Sequence, residues 1–172
     1  MDHLHRLSLF RSETEAFEKA VRHAFDLGEP APQVPCCPGW SVSDLVGHLG
    51  GVHRFLAHVL RERLAAPPDP GGLGLPQPPA GPEALTEWFA QGARELEELL
   101  RALGPDTRVW TWSDGQTSGF WLRMQMIEPA VHRWDAESAT GTSTPLDPAV
   151  AADAVAQTFE VMAPARRSWQ AA

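Results

Sequence analysis

The chain has 172 residues, 43% hydrophobic and 21% charged, enough for one domain with a sizeable core. A formal net charge of −8 argues against nucleic acid as a partner, since phosphate binding needs a basic face, and the absence of tyrosine excludes phenol-based acid/base chemistry. No apolar run approaches the roughly 20 residues of a membrane helix, and the start MDHLHRLSLFRSETE is too charged for a secretion signal.

In chain order, residues 2–26 read as a first helix. Leu7, Phe10, Thr14, Phe17, Val21 and Ala24 or Phe25 repeat at the three/four spacing of one buried face. Gly28 and the Pro-rich stretch after it end that helix. The only two cysteines, Cys36 and Cys37, are adjacent. They cannot staple distant segments, and a bridge between them would be strained. They read as reduced, which fits a cytoplasmic protein, either as small apolar filler in a loop or as a reactive thiol. Pro38-Gly39 forms a turn, and Trp40 plugs the end of a bundle. Ser41 and Asp44 then have the spacing of a capping box.

A second helix runs from about there to Leu64. At helical spacing His48 falls in the apolar stripe of Leu45, Val52, Phe55, Leu56 and Val59, so it is expected to point into the core. Gly47, Gly50 and Gly51 surround it, each costing roughly 1 kcal/mol relative to Ala. A neighbouring helix or a ligand then has to approach closely there. Residues 65–82 form a Pro/Gly crossover loop. The third helix spans about 82–103, with Leu85, Trp88, Phe89, Ala93, Leu96, Leu99, Leu100 and Leu103 as its buried stripe. Residues 107–117 alternate like a short strand and turn at Asp114-Gly115. One strand makes no sheet, so an extended segment laid across the bundle is expected, with Trp110 and Trp112 covering one end.

The fourth helix starts near Ser118. At about 100° per residue it places Trp121, Met124, Gln125, Glu128, His132 and Asp135 on one stripe. Pro129 lies inside it and removes a backbone hydrogen bond. A fifth helix begins at Asp147-Pro148, a cap followed by Pro at the first helical position. Val150, Ala154, Phe159 and Met162 give it a weaker buried face. The fold class read from this order is all-α, a four-helix bundle with an additional C-terminal helix over 1–165, and 166–172 as a tail.

Glu128 and His132 are four apart, one turn along the same face. Alone, such a pair is often only a surface ion pair, and a lone His48 would read as a core histidine bonded to a carbonyl. Together, His48, Glu128 and His132 offer two imidazoles and one carboxylate. Around one ion with an open fourth position, that is a catalytic zinc set. A di-iron centre does not fit, because it needs Glu-x-x-His on two helices and two further Glu. Asp135 could orient a ligand imidazole or pair with an Arg such as Arg133. His53 and His58 lie off the His48 face, and His3, His5 and His23 read as solvated. Trp40, Trp121 and Trp134 could line a pocket or pack in the core.

With these residues placed, the chain resembles the N-terminal domain of mycothiol-dependent maleylpyruvate isomerases, within the DinB-like group of metal-binding helical bundles. The resemblance rests on Cys37-Pro38-Gly39-Trp40-Ser41-Val42, on Asp44-Leu45-Val46-Gly47-His48-Leu49, and on Trp121 through Glu128 followed by Val131-His132-Arg133-Trp134-Asp135-Ala136. It extends in outline over about 1–165. It implies a divalent metal on His48, Glu128 and His132, most often Zn2+, with Ni2+ as the alternative. It also implies mycothiol or a similar small thiol as cosubstrate, and a transferase or isomerase acting on an electrophilic substrate. A metal-dependent hydrolase and a non-catalytic metal-binding module are the other readings. The expected protein is a cytoplasmic monomer or homodimer with no nucleic-acid or membrane partner. Many relatives carry a further C-terminal α/β domain. The sequence here ends at Ala172, so it reads as a single-domain relative or a fragment, and maleylpyruvate isomerisation by this stretch alone is not expected.

Overall fold

The structure is a computed structural model that describes residues 1–28, 30–69 and 72–165. Five α-helices carry the fold: α1 (His3–Asp26), α2 (Val42–Arg61), α3 (Pro82–Leu103), α4 (Ser118–Ala139) and α5 (Pro148–Gln157), followed by a π-helical turn, Thr158–Met162. No strand occurs among the described residues, so the class is all-α as expected. The expected tail, 166–172, lies outside the described residues.

α1 packs beside α4 and α3, and α2 packs beside α3 and α4, so α1 and α2 face each other across the bundle. Local chemistry sets where each helix begins. The Asp2 carboxylate accepts from the His5 N–H at 2.8 Å. Ser41 and Asp44 form the expected capping box, each side chain taking the other's backbone N–H. Pro82 and Pro148 open α3 and α5, where a missing N–H costs nothing. α4 runs through Pro129, which leaves the Gln125 carbonyl without its usual helical donor. α2 ends at Arg61 rather than near Leu64. Arg63 takes φ +48°, and the Leu64 carbonyl accepts from the Trp110 N–H instead of continuing the helix. The 107–117 stretch, expected as an extended segment laid across the bundle, is instead a loop that bends at 112–114 and closes on itself through an isolated Arg108–Thr117 bridge.

Besides a smaller cluster of Met126, Ile127, Ala130 and Val150, two larger apolar clusters form the core. One joins Phe17, Val21, Leu45, Leu49, Trp88 and Phe89; the other joins Leu7, Phe10, Leu56, Leu60, Leu96 and Trp121. Burying each such side chain stabilises the fold by about 1.5–3 kcal/mol. His53, not His48, is the core histidine. It is fully buried at the junction of the clusters, its ring 5.6 Å from Phe10 and 5.3 Å from Phe89. The inward line of α2 is Leu45, Leu49, His53, Leu56 and Leu60, and one residue's rotation takes His48 off that line to an exposed position. The apolar residues thought to share its face, Val52 and Phe55, are only half-buried.

Of the three glycines around His48, only Gly50 marks a close approach. A Cβ there would lie 2.2 Å from Trp88 Cζ3 on α3, so the neighbour is a helix and not a ligand. Two further expectations are corrected. Phe159 on the C-terminal turn is 73% exposed, because α5 passes into a π-helical turn that rotates it off the Val150 face. His3 is half-buried with both ring nitrogens shielded from solvent, not solvated.

Candidate metal and thiol site

The site lies where α2, α4 and the loop before α2 meet. That loop is held by its own backbone. The Val34 N–H donates to the Trp40 carbonyl at 2.8 Å, the Cys37 N–H to the Val34 carbonyl at 3.1 Å, and the Trp40 N–H to the Cys37 carbonyl at 2.9 Å. Gly39 turns it at φ +84°, a left-handed value that suits glycine. Val34 and Trp40 pack against the core, so the turn between them has a fixed position.

Trp40 then stands beside His48, ring centres 5.1 Å apart, and His48 meets His132 of α4 edge to face at 5.4 Å. His48 is exposed as a residue, yet its ring is flanked by these two rings. The loss of water, helped by the nearby His132, holds its basicity below the ordinary imidazole value. Glu128 is half-buried one turn before His132, and its carboxylate accepts from Gln125 Nε2 at 3.2 Å. Burial pushes its carboxyl above the usual range, only partly offset by Gln125 and His132. The Gln125 Oε1 is buried with no partner among the described residues.

His132 Nδ1 shares a 2.9 Å hydrogen bond with Asp135 Oδ2. The carboxylate selects the tautomer with the proton on Nδ1, which leaves Nε2 as the ring's lone-pair donor. Of the two roles weighed for Asp135, the structure has the carboxylate–imidazole pair. Arg133 is engaged elsewhere, donating to Glu13 at 2.6 Å and to Glu137 at 3.0 Å. Asp135 is buried, which by itself would raise its pKa. Hydrogen bonds from His132 and Cys36 outweigh that and hold it below the usual carboxylate value.

The Cys36 thiol donates to Asp135 Oδ1 at 2.9 Å, so one carboxylate serves a thiol and an imidazole. That bond, with burial and the Asp135 charge, pushes the Cys36 thiol up to about 12. Both cysteines are free. Among the described residues, Cys36, Cys37 and Asp135 form a group whose ligand atoms all lie within 4.8 Å of one another. His48, Glu128 and His132 are not in that group. The two imidazoles adjoin, and the Glu128 carboxylate is held by Gln125. Cys36 is therefore not loop filler, a correction to its expected role. Residues 36 and 135 are 99 apart in sequence, and no local pattern links them. Trp134 is 41% exposed and lines no core, whereas Trp121 is buried and donates to the Trp110 carbonyl at 2.7 Å. No helix of the described residues is long and apolar enough to cross a membrane.

Two uncharacterized proteins of Mycobacterium tuberculosis, from strains CDC 1551 / Oshkosh and ATCC 25618 / H37Rv, are each 28% identical to the chain over 142 residues. The match covers 82% of this chain and 69% of each relative. No solved structure gives a significant match. The family model described as the mycothiol maleylpyruvate isomerase N-terminal domain matches residues 10–137, which take in α2, most of α4 and the loop between Val34 and Trp40, and the chain belongs to that family.

Proposed function

We propose that His48, Glu128 and His132 hold one divalent cation, Zn2+ or Ni2+, and that the bundle over 1–165 uses it to activate a small thiol such as mycothiol against an electrophile. The observation that carries this is the meeting of the two imidazoles, 5.4 Å between ring centres across α2 and α4. Two imidazoles sharing one tetrahedral ion, with Zn–N of about 2.0–2.1 Å, have ring centres about 5 Å apart. The donor set fits in charge as well. A half-buried carboxylate whose burial disfavours its charge gains from a cation, and Asp135 on His132 Nδ1 leaves Nε2 of that ring as the donor.

A divalent cation there would act as a Lewis acid, lowering the pKa of a thiol that reaches it. The chain's own groups have separate tasks. Glu128 supplies the negative charge. Gln125 Nε2 holds one of its oxygens, so the other would be the one offered to the cation. Asp135 holds the His132 ring and its tautomer. Trp40 shields one side of His48 from water. The reaction class is thiol transfer or thiol-assisted isomerisation.

The test is metal content and turnover together. Reduced protein purified without a histidine tag is expected to lose about one equivalent of Zn2+ in each of His48→Ala, Glu128→Ala and His132→Ala. An unchanged zinc content in all three variants rules out these ligands. Conjugation of a model electrophile should need added mycothiol. Hydrolysis without any thiol would assign the site to a hydrolase, and no turnover in either assay would leave a metal-binding module.

A further inference from the structure

We propose that Cys36, Cys37 and Asp135 form a second cation site, thiolate-rich, for one soft or borderline divalent ion such as Zn2+ or Cd2+. This donor set shares no residue with His48, Glu128 and His132, so the inference stands whether or not those three hold a metal.

The geometry comes first. The ligand atoms of the three residues all lie within 4.8 Å of one another, drawn from a loop and from α4. Two thiolates on one tetrahedral ion, with Zn–S of about 2.3 Å, have sulfurs about 3.8 Å apart, inside that spread. The thiols are also presented by a fixed turn. The three backbone hydrogen bonds between Val34 and Trp40, the antiparallel bridge from Gln33 to Ser41 and the left-handed Gly39 set the direction of the Cys36-Cys37 pair. Asp135 is buried and already points one oxygen at Cys36, 2.9 Å from Sγ, while its other oxygen is on His132. A cation can take Oδ1 without disturbing the bond from Oδ2. Cys36 is exposed, which provides a way in and room for a fourth ligand, a water or an outside thiol.

Donor chemistry then selects the ion. Two sulfurs favour Zn2+, Cd2+ or Cu+ over Mg2+ or Ca2+, which prefer all-oxygen shells. Adjacent cysteines are poorly placed for a disulfide, so the pair is available as thiols. On binding, the ion gains two sulfur ligands and one carboxylate oxygen, and the two thiol protons pass to buffer. No oxidant or reductant is involved.

The test uses the full chain, reduced and stripped of metal, titrated with Cd2+. The readout is the ultraviolet thiolate-to-cadmium charge-transfer band, which imidazole and carboxylate ligands do not produce. The band is expected to saturate at one thiolate-bound cadmium per chain, and to do so equally in the His48→Ala/Glu128→Gln double variant. Cys36→Ser, Cys37→Ser and Asp135→Asn should each weaken cadmium by more than about tenfold, the lower end of what losing even a supporting group costs. Independently, Zn2+ should protect both thiols of the wild-type chain from a disulfide reagent. The proposal is overturned by absence of the band in the wild-type chain, by loss of the band in the His48→Ala/Glu128→Gln variant, by equal thiol reactivity with and without Zn2+, or by unchanged cadmium affinity in folded Asp135→Asn. A wild-type band that persists while His48→Ala, Glu128→Ala and His132→Ala all leave zinc content unchanged would support this site and refute the other.

Discussion

Below pH 6.5 the unfolded chain takes up a proton on His53 that the folded chain refuses. Burial, then the Arg54 charge, push this imidazole down to about 3 in the fold. Among the described residues neither ring nitrogen has a hydrogen-bond partner, and the ring lies between Phe10 and Phe89. The folded pKa is depressed, so the unfolded state binds more protons and stability falls as pH falls through the window from 6.5 to about 3. The slope is about 1.4 kcal/mol per pH unit once the unfolded imidazole is charged. That comes to about 2.7 kcal/mol lost to this one group two units below its unfolded value. His53→Leu removes the proton site and keeps an apolar side chain of similar size. At neutral pH it should cost little, since no hydrogen bond is broken and both partners of the ring are aromatic. Urea unfolding of both proteins at several pH values between 7 and 4.5 measures the difference, about 1.4 kcal/mol per unit more loss in the wild type. Parallel profiles across that window would mean that His53 is protonated inside the fold, and the reasoning would fail.

Other substitutions separate packing from the site chemistry. Gly50→Ala gains about 1 kcal/mol of helix propensity but sets a methyl 2.2 Å from Trp88, whose ring is covered by the Arg54 guanidinium at 3.8 Å. Overpacking of about 1–3 kcal/mol should win, whereas Gly51→Ala meets nothing within 4 Å and should stabilise; urea midpoints of the two decide it. Arg133→Met strands the buried Glu13 carboxylate, leaves Glu137 on Thr144 alone, and should cost about 3–5 kcal/mol. Adding Glu13→Gln should recover part of that, measured as a double-mutant cycle. In a Cys36→Ser background, Asp135→Asn should weaken Zn2+ at His48, Glu128 and His132 by about 10–100-fold in a chelator competition, because His132 loses the carboxylate that sets its tautomer.

Periodicity and punctuation in the sequence determined the five helices of the described residues, the Ser41–Asp44 cap, the turn near Asp114-Gly115 and the placement of Glu128 and His132 one turn apart on α4. Each of these depends on residues within a few positions of one another, so the chain itself carries the information. Which way α2 turns its polar residues was not legible. His48 fits the apolar stripe of α2 by spacing and His53 falls off it, and only packing against Phe10 of α1 and Phe89 of α3 decided that His53 goes inward and His48 to the edge. The tie of Cys36 to Asp135 was hidden for the same reason. It joins a loop to a helix 99 residues away, and such a contact exists only once the bundle has closed.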